Sequence, residues 1–236
     1  MSRILGIIPS RYQSTRFLGK SLIDIKGKTM IQRVYEESLK SNLTNVIVAT
    51  DNDLISKHLE QSSIVYEMTS SQHYTGTDRC CEVALRHYEE YDFVINIQGD
   101  LAIFDYQMIN KIIDYSNYDI VTLKKEIKNV NDINSNSIVK VVTDNYDNSL
   151  YFSRLPIPYN MDGNAKYYKH IGLYGFRIET LIDLCKLSPT KLEKNESLEQ
   201  MRWMENGYKI KTIETDLDCV SIDTPEDYEK VLKILS

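Results

Sequence analysis

Short apolar runs alternate with amphipathic stretches through the first half of the chain. Ile4–Ile8, Val46–Ala49, Phe93–Ile97 and Ile120–Leu123 are almost continuously apolar, as expected of strands covered on both faces in a parallel sheet. A shorter run, Ile64–Tyr66, reads the same way. Between the runs lie helical stretches: Thr29–Lys40, with Met30, Val34 and Leu39 near helical spacing, then Leu54–Glu60, a segment after Thr77, and Gln107–Tyr115. This βαβα order predicts an α/β fold with a doubly wound, mostly parallel sheet. The Asn- and Lys-rich stretch Lys124–Ser137 reads as a surface connection. Beyond it Ile138–Thr143, Leu150–Ser153 and His170–Arg177 read as strands at shorter separation, which predicts a smaller, more antiparallel lobe. Helices are expected at Ile178–Cys185 and Glu196–Asn206, the second closed by Gly207. Strands near Lys209–Glu214 and Val220–Ile222 follow. The last helix starts at Pro225, with Thr224 as N-cap and Asp227 at N3. The expected organisation is one domain: a main part over about 1–125, a lobe over about 138–206, and a strand–helix unit, 209–236, returning to the main sheet.

Composition narrows the class. The 236 residues are 42% hydrophobic and 26% charged, which is globular composition with length enough for a full core. Lys and Arg number 28 against 34 Asp and Glu, and a net charge of −6 argues against a nonspecific nucleic-acid binder. The balance is uneven: residues 1–28 carry six bases and Asp24, or +5, and the remaining residues sum to −11. That is a local anion site or an accident of composition. No signal peptide and no membrane-length apolar stretch is visible, which predicts a cytoplasmic protein without a membrane partner. Cys80, Cys81, Cys185 and Cys219 form no C-x-x-C pair and read as reduced, structural thiols.

In open α/β sheets ligands bind beyond the carboxyl ends of the strands. After the first strand, Arg11, Arg16 and Lys20 alternate with Ser14, Thr15 and Ser21. Gly19-Lys20-Ser21 lacks the earlier glycine of a phosphate-binding P-loop, because that position is Ser14. The basic loop is then a solvated loop or a cradle for phosphate oxygens. After Phe93–Ile97 comes Gln98-Gly99-Asp100, and after Val220–Ile222 comes Asp223-Thr224-Pro225. Each aspartate is a helix or loop cap, or a ligand for a divalent cation. In His170–Arg177, alternation puts His170, Gly172, Tyr174 and Phe176 on one face. Arg154 either bridges locally or holds a carboxylate in bidentate fashion. Glu199 and Gln200 flank the apolar stripe Leu198, Met201, Met204, as solvated residues or ligand contacts.

Arg11-Tyr12-Gln13-Ser14-Thr15-Arg16-Phe17-Leu18-Gly19-Lys20 resembles the R-x-x-S-x-R-x-P-G-K loop of the CMP-sugar-acid synthetases. Further motifs follow in family order: Thr75–Arg79, Asn96–Asp100, Tyr151–Pro158, His170–Tyr174, Leu198–Gln200 and Asp223–Asp227. Together they resemble the 3-deoxy-manno-octulosonate (KDO) cytidylyltransferases over nearly the whole chain. The resemblance implies a nucleotide-diphospho-sugar transferase-like fold, a homodimer, and transfer of CMP from CTP to KDO with Mg²⁺, for lipopolysaccharide biosynthesis. A related 2-ulosonic acid, an 8-amino-KDO or a nonulosonic acid, is the alternative substrate. It implies that Arg11, Ser14, Arg16, Lys20 and Arg79 hold the nucleotide, and that Asp100 and Asp223 hold the metal, with Lys20, Asp100 and Asp223 catalytic. Gln98, Arg154, His170, Tyr174, Glu199 and Gln200 are then the sugar-acid contacts. The chain departs from the pattern at Leu18, where proline is usual, at Leu101-Ala102, where Glu-Pro is usual, and at Ser221, where glycine is usual.

Overall fold

The apolar run at the N-terminus forms the centre of the sheet in the computed structural model, which describes residues 2–13 and 17–236. The strands are β1 (Ile4–Ser10), β2 (Asp24–Ile25), β3 (Lys28–Thr29), β4 (Asn45–Thr50), β5 (Tyr66–Met68), β6 (Phe93–Asn96), β7 (Leu101–Ile103), β8 (Ile120–Glu126), β9 (Lys140–Thr143), β10 (Ser149–Ser153), β11 (Tyr168–Arg177), β12 (Lys211–Glu214) and β13 (Val220–Ser221). The helices are α1 (Met30–Ser38), α2 (Asp53–Gln61), α3 (Gly76–Arg86), α4 (Gln107–Ile113), α5 (Val130–Asn134), α6 (Ile178–Leu184), α7 (Lys191–Glu196), α8 (Gln200–Glu205) and α9 (Pro225–Ile234).

The main sheet runs β5–β4–β1–β6–β11–β8–β12, and β9 and β10 extend it beside β11. β1 pairs in parallel with β4 and β6, β4 with β5, and β8 with β12. β11 runs antiparallel to both β6 and β8. The expected doubly wound layer is therefore present, with one long antiparallel strand joining its halves.

Strand alternation builds a core on each face. On β1, Ile4 and Ile8 face one core with Val34, Ile55 and Met108, and Leu5 and Ile7 face the other with Val83, Leu181 and Trp203. A third, small cluster joins Ile25, Met30, Ala102, Ile222 and Val231. All four cysteines are free thiols. Among the described residues no helix is long and apolar enough to cross a membrane.

Two expectations are corrected. The polar stretch at Lys124 is not a surface connection throughout: β8 continues to Glu126, paired with β11, and α5 lies within the remainder. Lys124 is buried: its Nζ stands over the Tyr168 ring, 5.0 Å from the centroid, and reaches Thr143 Oγ1 at 2.8 Å and Asp147 Oδ1 at 2.9 Å. The helix expected over Glu196–Asn206 starts later, at Gln200, because Glu196 closes a separate preceding helix. α7 starts at a Thr190–Glu193 capping box and ends at Ser197, which adopts a left-handed conformation at φ 51°; α8 follows. The expected helix end at Gly207 holds, at φ +86°.

Candidate functional site

Two short strands, distant in sequence, bring the acidic residues together. β7 pairs antiparallel with β13, and Ile222 N donates to Asp100 O at 3.0 Å, so Asp100, just before β7, and Asp223, just beyond β13, line the same cleft. Asp223 is held just before α9, whose Thr224–Asp227 capping box is the predicted one; the Asp223 amide also donates to Asp227 Oδ2 at 3.3 Å. Asp100 depends on Gly99. A Cβ there would come within 2.7 Å of Pro9 O, so only glycine lets this turn lie against the end of β1.

Lys20 enters from the loop after β1. Gly19, at φ +68°, bonds back to Tyr12 O at 3.0 Å and starts the single turn Lys20–Leu22. Lys20 Nζ donates to Asp100 Oδ2 at 2.8 Å, to Asp223 Oδ1 at 3.1 Å and to Ile222 O at 3.3 Å. The ammonium thus stands between two carboxylates that would otherwise repel. The set is oxygen-only and anionic, which suits a hard cation such as Mg²⁺ sharing phosphate ligands. Among the described residues no group of three or more His, Cys, Asp and Glu side chains is placed to hold a metal by protein ligands alone.

The cleft is lined by Arg11, Lys20, Arg79, Gln98, Asp100 and Asp223, so six residues singled out from sequence come together. Ser14 and Arg16 lie outside the described residues. Arg79 lines the cleft from within: its Nη2 donates to Asp51 Oδ2 at 2.7 Å and its Nη1 to Thr69 Oγ1 at 2.5 Å. Sequence reasoning assigned no role to Ser10, Ser21, Thr75 or Gly76, which also line it. Thr75 and Asp78 form a capping box that aims the N-terminus of α3 at the cleft, a favourable place for an anion. The T-x-x-D spacing was the available signal.

Arg154, His170, Tyr174, Glu199 and Gln200 do not line this cleft. Arg154 turns to backbone carbonyls: Nε to Glu196 O at 2.8 Å, Nη1 to Asn136 O at 3.0 Å and Nη2 to Ser197 O at 3.2 Å. The other four gather where β11 meets α3 and α8. The His170, Tyr174 and Phe176 rings form the predicted row, with centroids 5.3 and 5.7 Å apart. Thr122 Oγ1 lies 2.9 Å from Leu173 O, to which it donates, and so accepts from His170 Nε2 at 3.0 Å. Burial lowers the His170 pKa from 6.5 to about 3, which keeps the ring neutral. Glu199 accepts from Thr77 Oγ1, in the first turn of α3, at 2.6 Å. Burial raises the Glu199 pKa against the opposing hydroxyls of Thr77 and Thr75. Gln200, one of the residues read as solvated or ligand-facing, is buried.

The fold and this anion-and-carboxylate cleft define a nucleotidyltransferase. A family profile described as cytidylyltransferase matches residues 5–213. A 3-deoxy-manno-octulosonate cytidylyltransferase of Fusobacterium nucleatum is 45% identical over 99% of this chain and 97% of its own length. One of Geotalea daltonii is 45% identical over 99% and 98%. A solved structure of CMP:2-keto-3-deoxy-manno-octonic acid synthetase complexed with CTP superposes with a TM-score of 0.92 at 36% identity, covering 99% of this chain and 98% of that one. HddC from Yersinia pseudotuberculosis, at 16% identity and a TM-score of 0.72 with each chain fully covered, shares the fold. The chain belongs to the 3-deoxy-manno-octulosonate cytidylyltransferase family.

Proposed function

We propose that the chain activates 3-deoxy-manno-octulosonate by transferring CMP from CTP, releasing pyrophosphate. The observation that carries this reading is the Lys20 ammonium between Asp100 and Asp223, at the carboxyl end of the sheet, in a chain whose full-length relatives bear that activity's name. The sugar 2-hydroxyl oxygen bonds to the α-phosphorus of CTP and its proton passes to solvent, the bond from that phosphorus to the bridging oxygen breaks, and pyrophosphate carries away the electron pair. Lys20 and Arg11 neutralise phosphate oxygens, and the α3 N-terminus adds oriented amides. Arg79 fixes Asp51 and the cleft wall from beneath. Asp100 and Asp223 would hold Mg²⁺, which supplies charge neutralisation on the phosphates and lowers the pKa of the attacking hydroxyl. Gln98, His170, Tyr174, Glu199 and Gln200 orient the sugar acid. Arg154 supports the α7–α8 elbow that carries Glu199 and Gln200.

In this reading, nucleotide handling sits in about 1–125, the sugar acid and a homodimer contact in about 138–206, and residues 209–236 return Asp223 to the main sheet. The activity belongs to the cytoplasm, where CTP is available, and feeds lipopolysaccharide assembly. The test is pyrophosphate release from CTP, Mg²⁺ and 3-deoxy-manno-octulosonate. A higher kcat/KM for an 8-amino or nine-carbon acid would overturn the substrate assignment, and no release with any 2-ulosonic acid would overturn the activity.

A further inference from the structure

Five buried side-chain atoms among the described residues have no hydrogen-bond partner, and three of them belong to one neighbourhood: Asn96 Oδ1, Tyr174 Oη and Gln200 Nε2. The residues are 1%, 6% and 5% exposed. Asn96 ends β6 and stands directly across from Tyr174 on β11. Along β6, Val94 faces the core of Tyr174, Phe176 and Trp203, whereas Phe93, Ile95 and Ile97 face the other. Alternation therefore points Asn96 the same way as Val94 and Tyr174. Gln200 begins α8, and Trp203 on the same helix meets the Tyr174 ring edge-on at 5.1 Å. Two residues beyond Asn96, Gln98 lines the nucleotide cleft.

An orphaned buried polar atom forfeits its hydration without a replacement partner, so three in one place call for an occupant. Their chemistry is complementary. Gln200 Nε2 only donates, Asn96 Oδ1 only accepts, and Tyr174 Oη does both. Burial, then the charge of Glu199, raises the Tyr174 pKa, so the phenol keeps its proton.

We propose that Asn96 is a further substrate-positioning residue, which with Tyr174 and Gln200 takes one neutral hydroxyl oxygen at the inner end of the sugar-acid site. The oxygen donates to Asn96 Oδ1 and accepts from Gln200 Nε2 or Tyr174 Oη. An ammonium there would meet the Gln200 N–H donor, and a carboxylate the Asn96 acceptor, so the set selects a hydroxyl. The occupant is a hydroxyl of the sugar or an internal water on which the sugar rests. The inference rests on the sugar-acid reading of the site.

Asn96→Leu and Asn96→Asp, both close in size to asparagine, separate the outcomes. Asn96→Asp keeps an acceptor oxygen; it retains the sugar-acid KM within a few-fold. Asn96→Leu raises that KM roughly 10-fold or more, with the KM for CTP unchanged. If the leucine variant does not fold, Asn96→Ala takes its place with the same expectation. Equal sugar-acid KM values in both variants and wild type, or equal losses in both, would overturn the role of Asn96. In Asn96→Leu, a roughly 10-fold fall in discrimination against analogues lacking one hydroxyl marks the sugar as occupant; equal losses for all analogues mark the water. Thermal unfolding of the free protein gives a readout that does not depend on turnover. In the free protein an unoccupied orphan predicts that Asn96→Leu gains stability; such a gain would rule out the resident water and mark the sugar hydroxyl as the occupant. Absence of wild-type turnover with 2-ulosonic acids is the separate failure of the functional reading.

Discussion

Lys20 and Asp100, 80 residues apart in the chain, meet at 2.8 Å at the carboxyl end of the central strands. Both are partly accessible, at 15% and 26% of their side chains, so the pair is placed to exchange partners when phosphates arrive. A partly exposed pair of this kind contributes about 1 kcal/mol of stability at most. Asp100→Asn is therefore expected to lower Tm by no more than about 2–4 °C. It is expected to lower turnover by about 100- to 1,000-fold, since it removes a carboxylate that would hold the cation against the reacting phosphates. Pyrophosphate release and a thermal melt on the same sample check both. Near-normal turnover would show that Asp100 is a loop cap.

Gly99 permits the turn that presents Asp100. The nearest atom to an added Cβ is backbone, Pro9 O at 2.7 Å, so no side chain can move aside. Gly99→Ala is expected to cost about 1–3 kcal/mol through overpacking. The Asp100 turn must shift away from β1, and misplacement near 1 Å can cost about 100-fold in rate. The two effects are read by urea denaturation and by kcat. An alanine variant with wild-type kcat would mean that the turn has room the geometry denies.

Arg79 is enclosed, at 3% exposure, and is paired with Asp51 across 28 residues. Removing the arginine strands the Asp51 carboxylate, which is 17% exposed, so the cost falls short of the about 3–5 kcal/mol of a fully buried pair. Arg79→Met is expected to lose about 1–3 kcal/mol in unfolding free energy. Changing both, Arg79→Met with Asp51→Leu, is expected to recover part of it, because the stranded carboxylate is gone. If the single change left stability untouched and only raised the KM for CTP, Arg79 would be a plain nucleotide contact.

The strands legible in sequence were those sheltered on both faces. Ile4–Ile8 and, Asn96 apart, Phe93–Ile97 had to be apolar, and so announced themselves. β13 was expected near Val220–Ile222, but β7 and its pairing with β13 were harder, because a ribbon of two or three residues carries no periodicity, yet it brings Asp100 to Asp223. The α7–α8 break at Ser197 was hidden because a left-handed serine looks like any other in a polar helix. Arg154 reads the same whether it meets a carboxylate or three carbonyls, and only the fold tells them apart. The Arg79–Asp51 pair was invisible for a related reason: neither sequence neighbourhood names a partner. Chemical type was readable locally, whereas pairing required the tertiary structure.

His170 makes a pH signature whose direction follows from its surroundings. Burial between the Phe152 and Tyr174 rings lowers its pKa from 6.5 to about 3. The unfolded chain takes up a proton below about pH 6.5, and the folded protein resists it until near pH 3. The contribution to stability is therefore full above about 6.5 and declines as the pH falls through this window. The decline approaches one proton's worth, up to about 1.4 kcal/mol per pH unit. His170→Gln removes this titration, so its unfolding free energy is expected to fall less steeply than that of wild type between about pH 6 and pH 4. Urea denaturation at half-unit pH steps gives the two slopes, and other titrations common to both proteins cancel in the difference. Parallel curves would mean that His170 takes up its proton in the fold over the same pH range as in the unfolded chain, below about pH 6.5. The Nε2 proton would then no longer fix the ring as the neutral donor to Thr122.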